Sequence, residues 1–255
     1  EIDRLNIGPV STMAISDVAY GGVSGTTAYV LATSQSGDIV RQAALLRAYL
    51  PLQRAMLRRA DRIVVATPNH IEFSPWLPEF RSKCEVIPFG LNLDRFAISP
   101  QILSAVADLR SAASGQPILL NVGRFVGYKG QRFAIEALRH LDAVLWLVGT
   151  GPLQPELEAI AKSCGVAQKV RFWGDVPDER LPLFFHACDV FVFPSITPNE
   201  AFGLVQVEAM ACGKPVVACQ LKSGVPYVCA HRSTGLTVPP GDSGALADAI
   251  RELLS

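Results

Sequence analysis

The chain has 255 residues, of which 49% are hydrophobic, so it can bury one large core or two small ones. Its 23 basic and 23 acidic side chains cancel, which gives no electrostatic basis for a nucleic-acid-binding function. The six cysteines contain no Cys-x-x-Cys pair, so they indicate buried thiols in a reducing, cytoplasmic compartment rather than a zinc site. We expect no signal peptide, because no basic segment precedes an apolar one at the start of the chain.

The first part of the chain predicts an incomplete Rossmann-like unit. Residues 1–36 match no strand pattern and are left unassigned. A helical pattern covers residues 39–60, and Pro51 is expected to kink that helix. Short apolar runs then predict strands at 62–66 and 85–88, separated by a proline-containing loop. This unit therefore lacks its first strands.

From residue 116 onward, apolar strands alternate with amphipathic helices. The predicted strands are 118–122, 143–148, 170–173, 190–193, 215–218 and 236–238. The predicted helices are 131–140, 155–164, 179–187, one that carries Glu208 and a last one from Ser243. Such alternation predicts an α/β fold with a doubly wound parallel sheet, which binds ligands at the carboxyl ends of its strands. We therefore expect a nearly complete domain over 98–255, after an incomplete domain over 1–97.

Two glutamates, Glu200 and Glu208, flank the start of one predicted helix. Glu200 lies in the loop after an apolar strand, and Glu208 lies about two turns into the helix that follows. Between them, Gly203, Leu204 and Val205 place free backbone amides at the helix N-terminus, which favours anions. Carboxylates can hold sugar hydroxyls while amides hold a phosphate, so the arrangement fits a nucleotide-sugar. For the two glutamates alone, a solvated helix face is the alternative.

Arg124 and Lys129 are candidate phosphate ligands. They lie just past a predicted strand, five residues apart around Gly127, where a loop can turn both cations inward. Arg offers a bidentate fork and Lys a point charge, and both suit phosphate. Transfer from a nucleotide-sugar leaves a diphosphate, whose charge needs fixed cations or a metal. The chain has no Asp-x-Asp motif, so we expect no metal; two exposed loop cations are the alternative.

Three stretches, residues 88–96, 121–130 and 190–217, occur in the order and spacing of a known family. Together they resemble the retaining glycosyltransferases of family four (group 1 glycosyltransferases), which have the GT-B fold. The resemblance extends from about Asp38 to the C-terminus. It implies transfer of a hexose from a UDP- or GDP-linked sugar to a glycan or lipid-linked acceptor, with retention and without a metal or other cofactor. It also implies a cytoplasmic protein of polysaccharide biosynthesis. Residues 1–97 would form the acceptor-side domain, and residues 98–255 would bind the donor.

The resemblance implies roles for individual residues. Glu200, Arg124 and Lys129 are the expected catalytic residues, with the two cations gripping the diphosphate and Glu200 holding the donor sugar. Glu208 is expected to accept the ribose hydroxyls. The other expected donor-binding residues are Gly123, Gly151, Phe202, Gly203, Leu204 and Val205, with a core position as the alternative for Phe202.

Two departures from the family favour a second hypothesis. Related chains often carry His-Ser-Asp where this chain has Ser36, Gly37 and Asp38, and no Gly-rich strand-loop is found in residues 1–36. The alternative is therefore a non-catalytic nucleotide-sugar-binding fragment or pseudoenzyme. A dehydrogenase is a weaker alternative, because no Gly-x-Gly-x-x-Gly follows a predicted strand.

Two further features suggest contacts outside the donor site. His70 follows a strand in a loop that we expect to face the cleft, where it could meet the acceptor. Arg47, Arg54, Arg58 and Arg62 recur near one helical face, which suggests a peripheral contact with anionic lipid at the inner membrane face. A packed histidine and a solvated basic face are the respective alternatives.

Overall fold

The computed structural model describes residues 28–30, 51 and 54–255, and these contain two parallel sheets. The smaller sheet consists of Ala28–Val30 (β1), Arg62–Val65 (β2) and Cys84–Val86 (β3), in that order. Around it lie helical residues 54–59 (α1), the helix Pro68–Phe73 (α2) and a 3-10 helix over Leu77–Lys83.

The larger sheet and its helices make up the rest. Its strands are Ile118–Val122 (β4), Val144–Val148 (β5), Val170–Gly174 (β6), Val190–Phe193 (β7), Val216–Cys219 (β8) and Leu236–Val238 (β9). The α-helices are Pro100–Ser111 (α3), Gln131–Ala137 (α4), Gln154–Ser163 (α5), Leu181–Ala187 (α6), Leu204–Ala211 (α7), Val225–Val228 (α8) and Ser243–Leu254 (α9). Short 3-10 helices cover Leu93–Phe96, Gly127–Lys129, Leu138–His140 and Ala167–Lys169.

The strand order of the larger sheet creates a switch point at its centre. The order is β6-β5-β4-β7-β8-β9, so the chain leaves β4 toward one edge and returns to β7 on the other side. In an open parallel sheet, the crevice for ligands opens at the carboxyl ends of the two strands where the order reverses. The loops that follow β4 and β7 therefore meet at the position where a ligand is expected.

The sequence of the larger sheet explains why it lies at the centre of the core. Strands β4, β5, β7 and β8 are nearly continuous apolar runs, as parallel strands covered by helices on both faces require. Trp146 on β5 is 1% exposed and packs edge-on against Trp173 and Phe184, at centroid distances of 5.1 and 6.1 Å. A second, smaller apolar cluster lies around the first sheet, with Trp76 packed against it.

The predicted α/β fold with a parallel sheet is confirmed, and all six strands predicted from residue 116 onward are present. Their ends differ from the predicted ones by one residue at most. The expectation that Glu208 lies about two turns into its helix is wrong, because α7 begins only at Leu204. Glu208 is therefore just past the first turn. The division between residues 97 and 98 stays a prediction, and Phe96 packs against Phe185 of the larger core at 6.2 Å.

Several short elements escaped the sequence analysis. Strand β1 falls within residues 1–36, and α2 lies in the predicted proline-containing loop. Helix α2 has only six residues, too few to show a helical period, and it is defined instead by Thr67 as N-cap and by Pro68. Residues 39–50 of the predicted helix lie outside the described part of the chain, as do Ser36, Gly37 and Asp38.

The predicted basic face is altered by two contacts. Arg54 Nη2 lies 2.6 Å from Glu79 Oε2, and Arg58 Nη2 lies 3.7 Å from Glu79 Oε1, so one carboxylate offsets both cations. Arg62 begins β2 and does not continue the helix, which corrects the expected helical spacing. Arg47 lies outside the described residues.

Candidate functional site

A buried ion pair lies where the loops after β4 and β7 meet. Lys129 Nζ is 2.5 Å from Glu200 Oε2, and the two side chains are only 16% and 10% exposed. Ser195 Oγ donates a second hydrogen bond, of 2.9 Å, to the same carboxylate oxygen. Both bonds end on Oε2, so Oε1 of this held carboxylate receives neither of them. Lys129 and Glu200 are among the predicted site residues, and Ser195 is not.

Gly130 explains how Lys129 reaches a residue 71 positions later in the chain. It adopts φ +68°, and a Cβ at this position would collide with the carbonyl oxygen of Pro194 at the end of β7. The backbone amide of Ile196 also donates to Tyr128 O at 2.9 Å. A glycine is therefore needed for the two loops to approach closely enough to form the ion pair.

The predicted glycines Gly123 and Gly151 shape the same region. A Cβ on Gly123 would lie 3.8 Å from Lys129 Cε, so the lysine side chain passes over this glycine. Gly151 lies against the backbone of Phe125, where a Cβ would be 2.5 Å from the carbonyl oxygen. Phe125 N donates to Thr150 O at 2.9 Å. Through these contacts, the loops after β4 and β5 pack against each other, and the Lys129 side chain lies over them.

Arg124 is placed differently from Lys129. Its residue is exposed, and it takes part in no ion pair within the described residues. Its backbone carbonyl accepts a 3.0 Å hydrogen bond from Gln131 Nε2, which fixes the backbone of the loop and leaves the guanidinium in solvent. The structure therefore brings Arg124 to the same loop but not into the Lys129–Glu200 contact.

The N-terminus of α7 follows directly after Glu200 and Phe202. Gly203 is its N-cap with φ +75°, and none of the described side chains caps this end. A Cβ on Gly203 would lie 2.7 Å from the ring of Phe193, so the turn into the helix requires glycine. The first-turn amides of Leu204 and Val205 thus lack a side-chain acceptor, and such amides favour an anion.

Glu208 has surroundings unlike those of Glu200. Burial raises the pKa of its carboxyl, the charge of Arg95 opposes that rise, and Asp178 adds to it. Arg95 itself donates to Asp178 O at 3.3 Å. Within the described chain, Glu208 forms no salt bridge. A half-buried carboxyl without a bound partner is suited to accept hydroxyl groups of a ligand.

Phe202 and His70 lie at the boundary between the two sheets. Phe202 is 6% exposed and packs edge-on against Phe89 at 5.1 Å, which favours the core alternative for this residue. His70 is 8% exposed, and its Nε2 lies 3.0 Å from Ala201 O. Burial lowers the pKa of His70, and the hydrogen bond to Ala201 opposes that change. His70 is therefore packed against the loop that carries Glu200.

The rest of the described chain offers no stronger candidate for a functional site. Among the described residues, no cluster of three or more His, Cys, Asp or Glu side chains could hold a metal ion. A surface hollow of about 600 Å³ lies elsewhere and is lined by Gln220, His231, Thr237, Val238, Pro239 and Pro240. It has no carboxylate, lysine or arginine, so we place the candidate site at the ion pair. The buried cysteines show no sign of reactivity. Burial raises the pKa of the Cys188 thiol to about 12 and that of the Cys219 thiol to about 11, so both stay protonated at neutral pH, as expected for inert thiols.

The profile of the family described as Glycosyl transferases group 1 matches residues 109–255. The chain belongs to this family. It is 37% identical to D-rhamnosyltransferase WbpZ of Pseudomonas aeruginosa over 85% of this chain and 56% of the relative. It is 34% identical to the GDP-mannose-dependent alpha-(1-6)-phosphatidylinositol monomannoside mannosyltransferase of Mycolicibacterium smegmatis, over 81% of this chain and 57% of that protein. The chain thus spans about half the length of these relatives.

The family assignment agrees with the solved structures of related proteins. Anabaena HepE in complex with UDP superposes with a TM-score of 0.75 and 26% identity, covering 90% of this chain and 62% of HepE. The resemblance to group 1 glycosyltransferases and the GT-B type of fold are confirmed. As for membranes, none of the helices in the described residues combines the length and apolar character needed to cross a bilayer.

Proposed function

We propose that this chain binds a nucleotide-sugar and moves its hexose to a glycan or lipid-linked acceptor, with retention at the anomeric carbon. The observation that carries the proposal is the Lys129–Glu200 pair beside the uncapped N-terminus of α7, at the switch point of the sheet. The names of the relatives support it, because one is GDP-mannose-dependent and HepE binds UDP. The proposed donor is accordingly a UDP- or GDP-linked hexose.

The leaving diphosphate would be stabilised by fixed positive charge. Lys129 is only partly exposed and already oriented by Glu200, whereas Arg124 is exposed and would swing onto the phosphate when donor binds. The amides of Leu204 and Val205 would add the positive end of the helix dipole. Preorganised donors of this kind stabilise charge that develops in a transition state.

Glu200 would hold the transferred sugar through its second carboxylate oxygen. Lys129 and Ser195 both occupy Oε2, so Oε1 can accept a sugar hydroxyl without loss of either bond. The contact to Lys129 would also link the sugar to the phosphate, because one ammonium can donate three hydrogen bonds. Glu208 would accept the ribose hydroxyls from the next turn of α7.

Calorimetric titration of the chain with UDP, GDP and ADP tests the proposal directly. We expect UDP or GDP to bind, with affinity that is unchanged when EDTA is added. Loss of binding in EDTA would contradict a metal-independent site. Failure of all three nucleotides would contradict the nucleotide-sugar function itself.

The non-catalytic alternative retains the donor site and lacks turnover. Ser36, at a position where related chains often have histidine, favours it. Incubation of the chain with radiolabelled donor and either membranes or oligosaccharide separates the two hypotheses. Transfer of label at a rate similar to that of a full-length relative supports the enzyme, and donor binding without transfer supports the pseudoenzyme.

We also propose a cytoplasmic location with peripheral contact to the inner membrane face. Arg54 and Arg58 are 47% and 63% exposed, although Glu79 lies between them. A phosphatidylinositol-linked acceptor of the mycobacterial relative is consistent with such a contact. Cosedimentation with anionic vesicles should weaken when both arginines are changed to glutamine; equal sedimentation would contradict this contact.

A further inference from the structure

One carbonyl oxygen links α2 to the loop that carries Glu200. Ala201 O lies 3.0 Å from His70 Nε2 and also accepts a 2.7 Å hydrogen bond from Gly224 N. A carbonyl oxygen has two lone pairs, so both are used. The residue adjoining Glu200 is thus held from two directions, and one of the two donors lies on α2, the helix between strands β2 and β3 of the smaller sheet.

The hydrogen-bond partners of His70 define its tautomer. Ala201 O can only accept, so Nε2 must carry the proton. His70 Nδ1 then accepts from the Thr67 hydroxyl at 3.2 Å, while Thr67 Oγ1 accepts from His70 N at 3.3 Å. Thr67 therefore both caps α2 and orients the imidazole. Every polar atom of this short chain of bonds has a partner.

The surrounding backbone is fitted to this contact. A Cβ on Gly224 would lie 2.6 Å from Ala201 O and 3.3 Å from His70 Cε1, so a glycine permits the close approach. A second bond from α2 runs from Asn69 Nδ2 to Ser223 O at 2.9 Å. Asn69 therefore contacts the neighbouring loop, whereas His70 contacts the Glu200 loop itself.

We propose that His70 is a positioning residue, which fixes the Ala201 backbone and thereby the orientation of Glu200 toward the donor sugar. Lys129 and Ser195 restrain the carboxylate end of Glu200, and His70 restrains the adjoining backbone from α2. This assignment rests on the proposed function for its catalytic consequence. The restraint on the loop is a property of the protein without ligand.

Hydrogen exchange and steady-state kinetics of paired variants test the assignment. His70→Asn is too short to reach Ala201 O. Amide exchange at Glu200, whose N–H donates to Thr197 O at 3.2 Å in the same loop, should therefore rise about tenfold, the effect of losing one buried hydrogen bond. The kcat for transfer should fall by a similar factor, while affinity for UDP or GDP stays within about twofold, since the phosphate ligands are untouched. His70→Gln places its amide near the position of Nε2 and should restore both values.

Asn69→Ala is the matched control, because it removes a bond that also starts from α2 but ends on Ser223 instead of on the Glu200 loop. It should leave exchange at the Glu200 amide near the wild-type rate; an effect equal to that of His70→Asn would overturn the assignment in favour of general docking of the two parts. The same holds if His70→Gln behaves like His70→Asn, or if His70→Asn changes neither exchange nor kcat.

Thr67 provides a second route if His70→Asn does not fold. Thr67→Val removes the hydroxyl that orients the imidazole, and Thr67→Ser keeps it, so only the valine variant should speed exchange at the Glu200 amide. Equal exchange in both would overturn the proposal. A wild-type chain that binds none of the nucleotides would contradict the proposed function, while the exchange measurements would still decide the role of His70.

Discussion

Glu200 and Glu208 lie eight residues apart and flank the same helix start, yet their environments differ. Glu200 is nearly buried, with a lysine and a serine hydroxyl on one carboxylate oxygen. Glu208 is half-buried without a salt bridge among the described residues, and burial raises its pKa. Under the proposed function, the carboxylate assigned to the sugar would be oriented before ligand arrives, whereas the one assigned to the ribose would gain its partners from the ligand.

The largest expected effect comes from removing the partner of the oriented carboxylate. Lys129→Ala removes the ammonium partner of the Glu200 carboxylate, whose side chain is only 10% exposed, and breaking a buried pair in this way costs about 3–5 kcal/mol of unfolding free energy. Denaturant titration measures this loss, and adding Glu200→Gln to the same chain should recover part of it. No recovery in the double variant would show that the pair is not coupled.

Arg124→Ala is the control for Lys129→Ala, because it removes a positive charge from an exposed side chain of the same loop. Its exposed side chain should leave unfolding free energy within about 0.5 kcal/mol. Both Arg124→Ala and Lys129→Ala should weaken diphosphate binding by roughly 1.5–3 kcal/mol, with much less effect on nucleoside binding. Equal losses for UDP and uridine would contradict phosphate contact by either residue.

Gly130→Ala tests the backbone that delivers Lys129 to Glu200. The added methyl group meets the Pro194 carbonyl oxygen in a left-handed conformation, so we expect a loss of about 2–3 kcal/mol in unfolding free energy. Gly127→Ala, three residues earlier, has nothing within 4 Å and no positive φ, and it should be nearly neutral. Similar losses for the two glycines would remove the argument for close loop contact.

The ligand-dependent roles of the two glutamates separate in binding assays. Glu208→Gln should lower the affinity for free UDP or GDP, because the ribose loses a charged acceptor. Glu200→Gln should reduce sugar transfer and leave free nucleotide binding nearly intact. If Glu200→Gln weakens UDP or GDP as strongly as Glu208→Gln does, the division of roles is wrong.

A smaller effect is expected in the pH dependence of stability. Because the pKa of Glu208 is raised in the folded state, the folded chain binds more protons here than the unfolded chain does. The contribution of Glu208 to stability therefore falls as pH rises from its unfolded pKa through its folded pKa. Thermal unfolding of wild type and Glu208→Gln at a series of pH values measures this, and the variant should lose that part of the slope. An unchanged slope would place Glu208 in a solvated environment.

The sequence predicted the strands that carry the site better than the contacts between the site residues. Apolar runs at β4, β5, β7 and β8 identify a parallel sheet because such strands are buried on both faces. The motifs then place Lys129 and Glu200 at strand ends. Their direct contact spans 71 positions, and it depends on how closely two loops approach, which the local sequence does not encode.

The start of α7 and the short helix α2 show two further limits. The position of Glu208 depended on where its helix begins, which is decided by the left-handed turn at Gly203. Helix α2 has a cap and a proline but no helical period, so its residues were assigned to a loop. The clue to His70 was the capping residue Thr67 three positions earlier. The roles of the site residues stay predictions until the variants are measured.

The placement of the three tryptophans has a practical consequence for spectroscopy. Trp146 and Trp173 contact each other in the larger sheet, while Trp76 packs beside the smaller apolar cluster. Emission from the close pair and from Trp76 therefore reports on different parts of the chain. Replacing Trp76 with phenylalanine would leave tryptophan fluorescence from the larger sheet alone, so that the melting of this part can be followed without an added label.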